Sequence, residues 1–219
     1  MKKAAAVILA LAMFVCIFTA CQKSDGDGGA DAAKSGIDKY VSMAVSEHVD
    51  NENIKLDIEI PNLLPDTEAA KSINDEINTL FYGDDIQAAI DGGFAGIEIY
   101  ITPRTALYDT IVSIRIDEAF VPMYGTDGSV YVVNYDTATD SRVELDQMFT
   151  IFGYTYWGAM DEANRLAAET YGEFVDSVEA QGLYVNEDGS CELICYVYAR
   201  PNGVDSWQYI MSVPLPKNE

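Results

Sequence analysis

The sequence predicts an α+β domain: an antiparallel sheet with two main helices packed on it, preceded by a cleaved signal peptide and a flexible linker. Three observations lead there. Apolar residues recur at a period of two in short runs between residues 54 and 136 and again near the C-terminus. Two longer segments, 65–83 and 154–181, carry apolar residues at helical spacing instead. The resulting order is strand, helix, strands, helix, strands, and helices segregated in this way pack on an antiparallel sheet.

Within "KYVSMAVSEHVDNENIKLDIEIPNLL", residues 39–64, Ile54, Leu56, Ile58 and Ile60 fall on one side and Lys55, Asp57 and Glu59 on the other. That is a half-buried strand, closed by Pro61. The next segment is a helix that Asp66 or Thr67 caps, with Ala70, Ile73, Ile77, Leu80 and Phe81 as its apolar stripe and Gly83 at its end. The runs "IEIYIT", "TIVSIRIDEAFV" and "SVYVVNYD" are joined by "PRTALYD" and by "PMYGTDG", whose Asp-Gly pair is a turn signal. With "TATDSR" leading on to "VELDQMF", they read as an antiparallel meander. The second helix takes its stripe from Met160, Ala163, Leu166, Ala167, Phe174, Val175 and Val178, with Gly172 marking a kink or a break. Three closing strands are separated by the turns "EDGS" and "RPNGVDS".

The N-terminus has a different character. Lys2 and Lys3 precede an uncharged apolar run over residues 4–20, slightly short for a membrane span of ~20 residues. Thr19 and Ala20 then lead into Cys21. This resembles the lipobox of bacterial lipoprotein signal peptides, with Phe18 where that family prefers Leu. The resemblance implies a signal peptide over 1–20, diacylation of Cys21, and an anchor in the cell membrane on its extracytoplasmic face. Residues 21–36 are rich in Gly, Asp, Ala and Ser and have almost nothing to bury, so they read as a flexible acidic tether to a domain spanning 37–219. Asp25, Asp27 and Asp31 faintly resemble a calcium loop but lack its closing Glu, and no metal is expected.

The formal net charge is -23, from 36 acidic against 13 basic residues, and loss of Lys2 and Lys3 makes it more negative. Such a surface repels nucleic acid and anionic lipid and attracts basic partners. Of the four cysteines, the lipobox resemblance implies that Cys16 would leave with the signal and that Cys21 would take the lipid. Cys191 and Cys195 lie four apart on one strand, roughly 13 Å at ~3.3 Å per residue. A disulfide needs Cα atoms within ~7 Å, so these two read as small buried hydrophobes.

The order and spacing of four stretches resemble the extracytoplasmic domain of the RsiV anti-sigma factor, whose relatives of unknown function occur in bacterial lipoproteins and beside a peptidoglycan deacetylase domain. They are "IKLDIEIPNL" with "AKSINDEINTLF", then "DTIVSIRIDEAF", "VYVVNYDTATDSRVELDQMF" and "GLYVNEDGSCELICYVY". The family's Gly-Gly-Ala-His-Gly turn is replaced by "MYGTDGS", and its Pro-Tyr near the C-terminal hairpin by "RPNGVDSW". Lysozyme recognition is therefore not carried over. With no transmembrane helix or sigma-binding segment read ahead of the domain, an anti-sigma role is not expected.

No catalytic constellation is visible. His48 is the single histidine and sits in a polar stretch, no Gly-x-Ser-x-Gly elbow exists, and no cofactor is expected. The aromatic residues around turns and helix starts are the ligand-binding candidates: Tyr124, Tyr154, Trp157 and Trp207, with Asp205 beside the last. The expected function is a lipid-anchored, non-enzymatic binding module of the cell envelope. Its partners would be the membrane, through the diacylglyceryl cysteine, and a basic protein or peptidoglycan, but no nucleic acid. The alternatives are an envelope glycan hydrolase, an accessory subunit of one, or a structural component of an envelope assembly.

Overall fold

The structure is a computed structural model. It describes residues 36–51, 54–83, 86–88, 96–121, 127–200, 203 and 205–216. The signal peptide, most of the tether, Cys21 and Tyr124 lie outside the described residues.

After a 3-10 turn over Ile37–Lys39, the described chain enters a hairpin of β1 (Val41–Asp50) and β2 (Ile54–Leu63). Asn51 closes the turn: its amide donates to the Ile54 carbonyl at 3.1 Å, and its side chain accepts from the Ile54 amide at 3.1 Å. Pro61 does not end β2, as the sequence implied. It lies inside the strand, opposite Met43, where the register shifts between Met43 and Val45. A bulge accommodates a residue with no amide hydrogen.

Helix α1 (Glu68–Phe81) follows, with Thr67 as N-cap accepting from the Ala70 amide at 3.2 Å. Ala70, Ile73, Ile77 and Phe81 are buried as expected, but Leu80 is 53% exposed and belongs to the solvent side. α1 is a crossover. It delivers the chain to β3 (Ile97–Tyr108), which pairs parallel with β2 from Ile54↔Ile97 to Ile58↔Ile101. The sheet is therefore mixed rather than purely antiparallel, because adjacent parallel strands require a long connection of this kind.

β3 does not stop before Pro103. It runs on through "PRTALY", turns at Asp109 (φ 53°) and Thr110, and pairs antiparallel with β4 (Ile111–Val121). The parallel register with β2 ends at Ile101, so Pro103 meets no strand on that side. β5 (Asp127–Asp136) and β6 (Ser141–Val143) complete a six-stranded sheet in the order β1-β2-β3-β4-β5-β6.

The segment "LDQMF" is helical rather than strand-like. α2 (Leu145–Ile151) starts at a capping box in which the Gln147 side chain accepts from the Glu144 amide at 2.9 Å. α3 (Tyr156–Tyr171) is capped by Thr155 and ends at Gly172, whose φ of 74° suits glycine. The helix expected to reach residue 181 is thus ten residues too long on paper. Phe174 ends a 3-10 turn, and Val175 and Val178 belong to β7 (Val175–Val185). β7, β8 (Cys191–Ala199) and β9 (Trp207–Leu215) form a second, antiparallel sheet in that order.

Four layers result, and the domain is sheet-dominated rather than two helices on one sheet. α1 covers one face of the large sheet, burying Leu56, Ile58, Ile73, Ile77, Ile114 and Ile116. The small sheet lies on its other face, with Val130, Val132, Tyr184 and Ile194 between the two. α2 and α3 close the far side of the small sheet over Met148, Ala163, Leu193, Cys195 and Val213. Cys191 and Cys195 are free and buried, and burial pushes the Cys195 thiol up to about 12. Among the described residues no helix is long and apolar enough to cross a membrane.

Candidate binding surface

β4 shows a period near two in sequence, and both of its faces are covered. Val112, Ile114 and Ile116 face α1, while Ser113, Arg115 and Asp117 face the small sheet or its rim. Ser113 donates to the Asn134 side-chain oxygen at 2.7 Å and accepts the Val185 amide at 3.1 Å. Asn134 in turn donates to the Leu183 carbonyl at 3.0 Å. Two buried side chains of the large sheet thus satisfy backbone groups of β7, an edge strand of the small one. An unsatisfied buried backbone group is costly, so this contact fixes where the sheets meet.

Further along the same junction sits an ionic network. Glu192 accepts from Arg104 at 3.1 and 3.3 Å, from Asn186 at 3.1 Å and from Ser212 at 2.5 Å, with the Arg115 guanidinium 3.7 Å away. Burial alone would raise the Glu192 carboxyl, but the bonds from Arg104, Ser212 and Asn186 outweigh it and hold it at about 2. Arg104 also lies over the Tyr184 ring, 4.7 Å from its centroid. None of these residues was singled out from sequence, because Arg104 and Glu192 are 88 residues apart and no local pattern links them.

The remaining arginines are engaged as well. Arg115 binds Asp117 at 2.7 Å, Arg142 binds Glu76 at 2.6 Å, Arg165 binds Glu162 and Glu169, and Arg200 binds Asp176 at 2.5 Å. Lys71 pairs with Asp66, and Lys55 lies 5.4 Å from the Tyr100 ring centroid. All five arginines and Lys71 are therefore spent on internal pairs, while 36 carboxylates face 13 cations overall. His48 stands across the β1–β2 ladder from Asp57, 3.8 Å away, with both side chains well exposed. Among the described residues no group of His, Cys, Asp and Glu side chains could hold a metal ion.

The aromatic candidates fall into two places. At the α2–α3 corner, Trp157 is 75% exposed and packs edge-on against Tyr156, 5.3 Å between centroids, which in turn meets Phe149 at 6.0 Å. Ile151 is exposed beside them in chain order, on the last residue of α2. Tyr154 is different. It is half-buried against the small-sheet core, and burial with the Cys191 thiol nearby raises its phenol. At the other end of α3, Tyr171 stacks on Tyr209 with centroids 4.7 Å apart. Trp207 is 50% and Phe174 43% exposed there, and Asp205 is exposed two residues before Trp207. Trp157 and Tyr171 are 14 residues apart on α3, about 20 Å at ~1.5 Å per residue. Trp157 and Trp207 therefore do not form one compact cluster; they mark the two ends of one helix.

An open groove of about 480 Å³ lies beside α2, lined in part by Asp136, Ser141, Arg142, Asp146 and Gln147. Its carboxylates are engaged: Asp146 accepts the Gln147 amide at 2.8 Å, and Asp136 accepts the Ala138 amide and the Thr139 hydroxyl, each at 2.9 Å. Against the effect of burial, the bonds from Ala138, Thr110 and Thr139 lower the Asp136 pKa.

The layers define the class: a mixed α/β domain in which a six-stranded sheet with one crossover is backed by a three-stranded antiparallel sheet. The same fold occurs in the crystal structure of a DUF3298 family protein from Pseudomonas aeruginosa PAO1, to which this chain is similar with a TM-score of 0.53 over 80% of this chain and 89% of that one. At 12% identity the similarity is one of fold. No family model matches the sequence, and no curated protein matches it.

Proposed function

We propose that the chain is a bacterial lipoprotein with an RsiV-like extracytoplasmic domain, serving as a non-enzymatic binding module of the cell envelope. Diacylated Cys21 holds it to the outer face of the cell membrane, and its ligand is a basic protein or a cell-wall glycan. The observation that carries the reading is the disposition of charge. All five arginines are spent on carboxylates within the fold, so the surplus of acid is left for solvent and for a ligand. Exposed aromatic rings at both ends of α3 add contact area at low entropic cost. Tethering then raises the local concentration of this surface at the wall. Asp136 and Glu192 are held in the charged form, the opposite of what the acid of a glycan hydrolase requires.

Co-sedimentation of the full-length chain with insoluble peptidoglycan, and with a basic protein immobilised on beads, tests this. Capture by at least one of them is expected, without release of soluble wall fragments and with steep loss between low and physiological salt. Fragment release that disappears when one carboxylate pair is replaced would establish the hydrolase instead. Capture indifferent to salt would remove the charge argument.

A further inference from the structure

The two aromatic places are joined by one flank of α3. At 3.6 residues per turn, Trp157, Asp161, Asn164, Ala168 and Tyr171 follow one another along the same side of the helix. Trp157, Asp161, Asn164 and Ala168 are exposed, and Tyr171 is half-buried. That side looks towards β9, because Tyr171 packs on Tyr209. Tyr209 shares its face of β9 with Met211, Val213 and Leu215, which pack under α3, and by strand alternation Trp207 shares it too. The ledge thus begins at Trp157, passes the Asp161 carboxylate and the Asn164 amide, and ends at Tyr171, Tyr209 and Trp207, with Glu173 and Asp205 exposed at that end. Among the described residues it offers no free cation. Arg165, beside Asn164 in sequence, is held by Glu162 and Glu169.

Resting on the binding-module reading, we infer that this ledge is its ligand site and that the ligand is a linear, cationic amino-sugar polymer, a glycan with free amino groups. Flat rings standing open in solvent suit the apolar face of a sugar. Rings at either end of a run of about 20 Å suit an extended chain better than a compact ligand. Carboxylates between and beside the rings meet ammonium groups, and the acid surplus excludes anionic polymers.

The test is titration of the full-length chain in detergent micelles, read by tryptophan fluorescence and calorimetry. The probes are de-N-acetylated glucosamine oligomers from disaccharide to octasaccharide, with the fully N-acetylated octasaccharide and an oligo-lysine of equal charge as counter-probes. Affinity is expected to rise with length until the oligomer reaches both ends of the ledge. The N-acetylated octasaccharide should bind about tenfold more weakly, and Trp157→Ala and Trp207→Ala should each weaken the long oligomer by about tenfold, or ~1.4 kcal/mol. Both tryptophans are at least half exposed, so these variants keep the core intact. Affinity independent of length, equal affinity for the acetylated oligomer, or a neutral outcome at either tryptophan would overturn the inference. Oligo-lysine bound equally well with the same tryptophan dependence would make the ledge a peptide surface and overturn it also. A chain that sediments with peptidoglycan but ignores the glucosamine oligomers would overturn the ledge and leave the module reading intact. A chain that binds the oligomers but neither peptidoglycan nor a basic protein would do the reverse.

Discussion

Replacing Glu192 by alanine is expected to lower the unfolding free energy by about 3 kcal/mol, because it removes the carboxylate that Arg104 binds and leaves Arg115 with Asp117 alone at the junction of the sheets. Removing one partner of a buried ion pair costs ~3–5 kcal/mol. Arg115 is 11% exposed at its side chain but Arg104 is 43% exposed, and solvent at Arg104 reduces its share. At ~2–4 °C per kcal/mol for a chain of this size, the melting temperature should fall by about 6–12 °C. Glu192→Gln, which keeps the shape and much of the hydrogen bonding, should cost less. The pH dependence has a definite sign. The Glu192 pKa is lowered in the folded protein from 4.5 to about 2, so its contribution is complete above pH ~4.5 and disappears as pH falls towards ~2. Denaturant titrations of wild type and Glu192→Gln should therefore differ at pH 7 and converge near pH 2. Curves that stay equally far apart across that range would show that the carboxylate charge does not hold the junction.

Gly182→Val is expected to be comparably damaging, for a reason that has nothing to do with glycine's backbone freedom. Gly182 has no positive φ; an added Cβ would instead collide with the side chain of Val132 on β5. It lies where the β7–β8 register shifts between Ala180 and Gly182, against Val132 of the other sheet. Overpacking of a tight contact costs ~1–3 kcal/mol, and the expected loss is at the upper end because the obstacle includes a Cβ fixed by the β5 backbone. Space made on the opposite side should relieve it. In a double-mutant cycle, Gly182→Ala combined with Val132→Gly, which removes that Cβ, should cost at least ~1 kcal/mol less than the sum of the single changes. Strict additivity would place the strain elsewhere.

Much of the fold was legible where one face is buried and the other wet. The alternation of Ile54, Leu56, Ile58 and Ile60 gave β2, and Thr67 with the Ala70–Phe81 spacing gave α1, because in those elements local pattern and tertiary burial coincide. β1 left almost no trace, since "VSMAVSEHVD" is an edge strand mostly exposed to solvent. Helix 154–181 was overextended because Phe174, Val175 and Val178 continue a spacing of three to four by coincidence; the stop signal was Gly172, present but readable as a kink. The parallel pairing of β2 and β3 was missed because it depends on the route of the intervening helix and not on either strand. The site divides in the same way. Trp157 and Trp207 could be named as exposed aromatics beside turns. Their relation as ends of one ledge required the direction of α3 over the small sheet. The Arg104–Arg115–Glu192 network required three strands from two sheets, and its one local hint was polar residues at alternate positions in "IVSIRID", readable equally as a solvent face.

The central claim is that an acid-rich binding domain is tethered by lipid to the outside of the cell. It is tested most directly by feeding cells a labelled fatty acid while they express the full-length chain or its Cys21→Ala variant, and by adding protease to the intact cells. The account predicts label on the wild-type chain alone, retention of that chain in the membrane fraction, loss of the variant from it, and digestion of the domain from outside. A wild-type chain that takes up no label, a variant equally membrane-bound, or a domain shielded from external protease would contradict it.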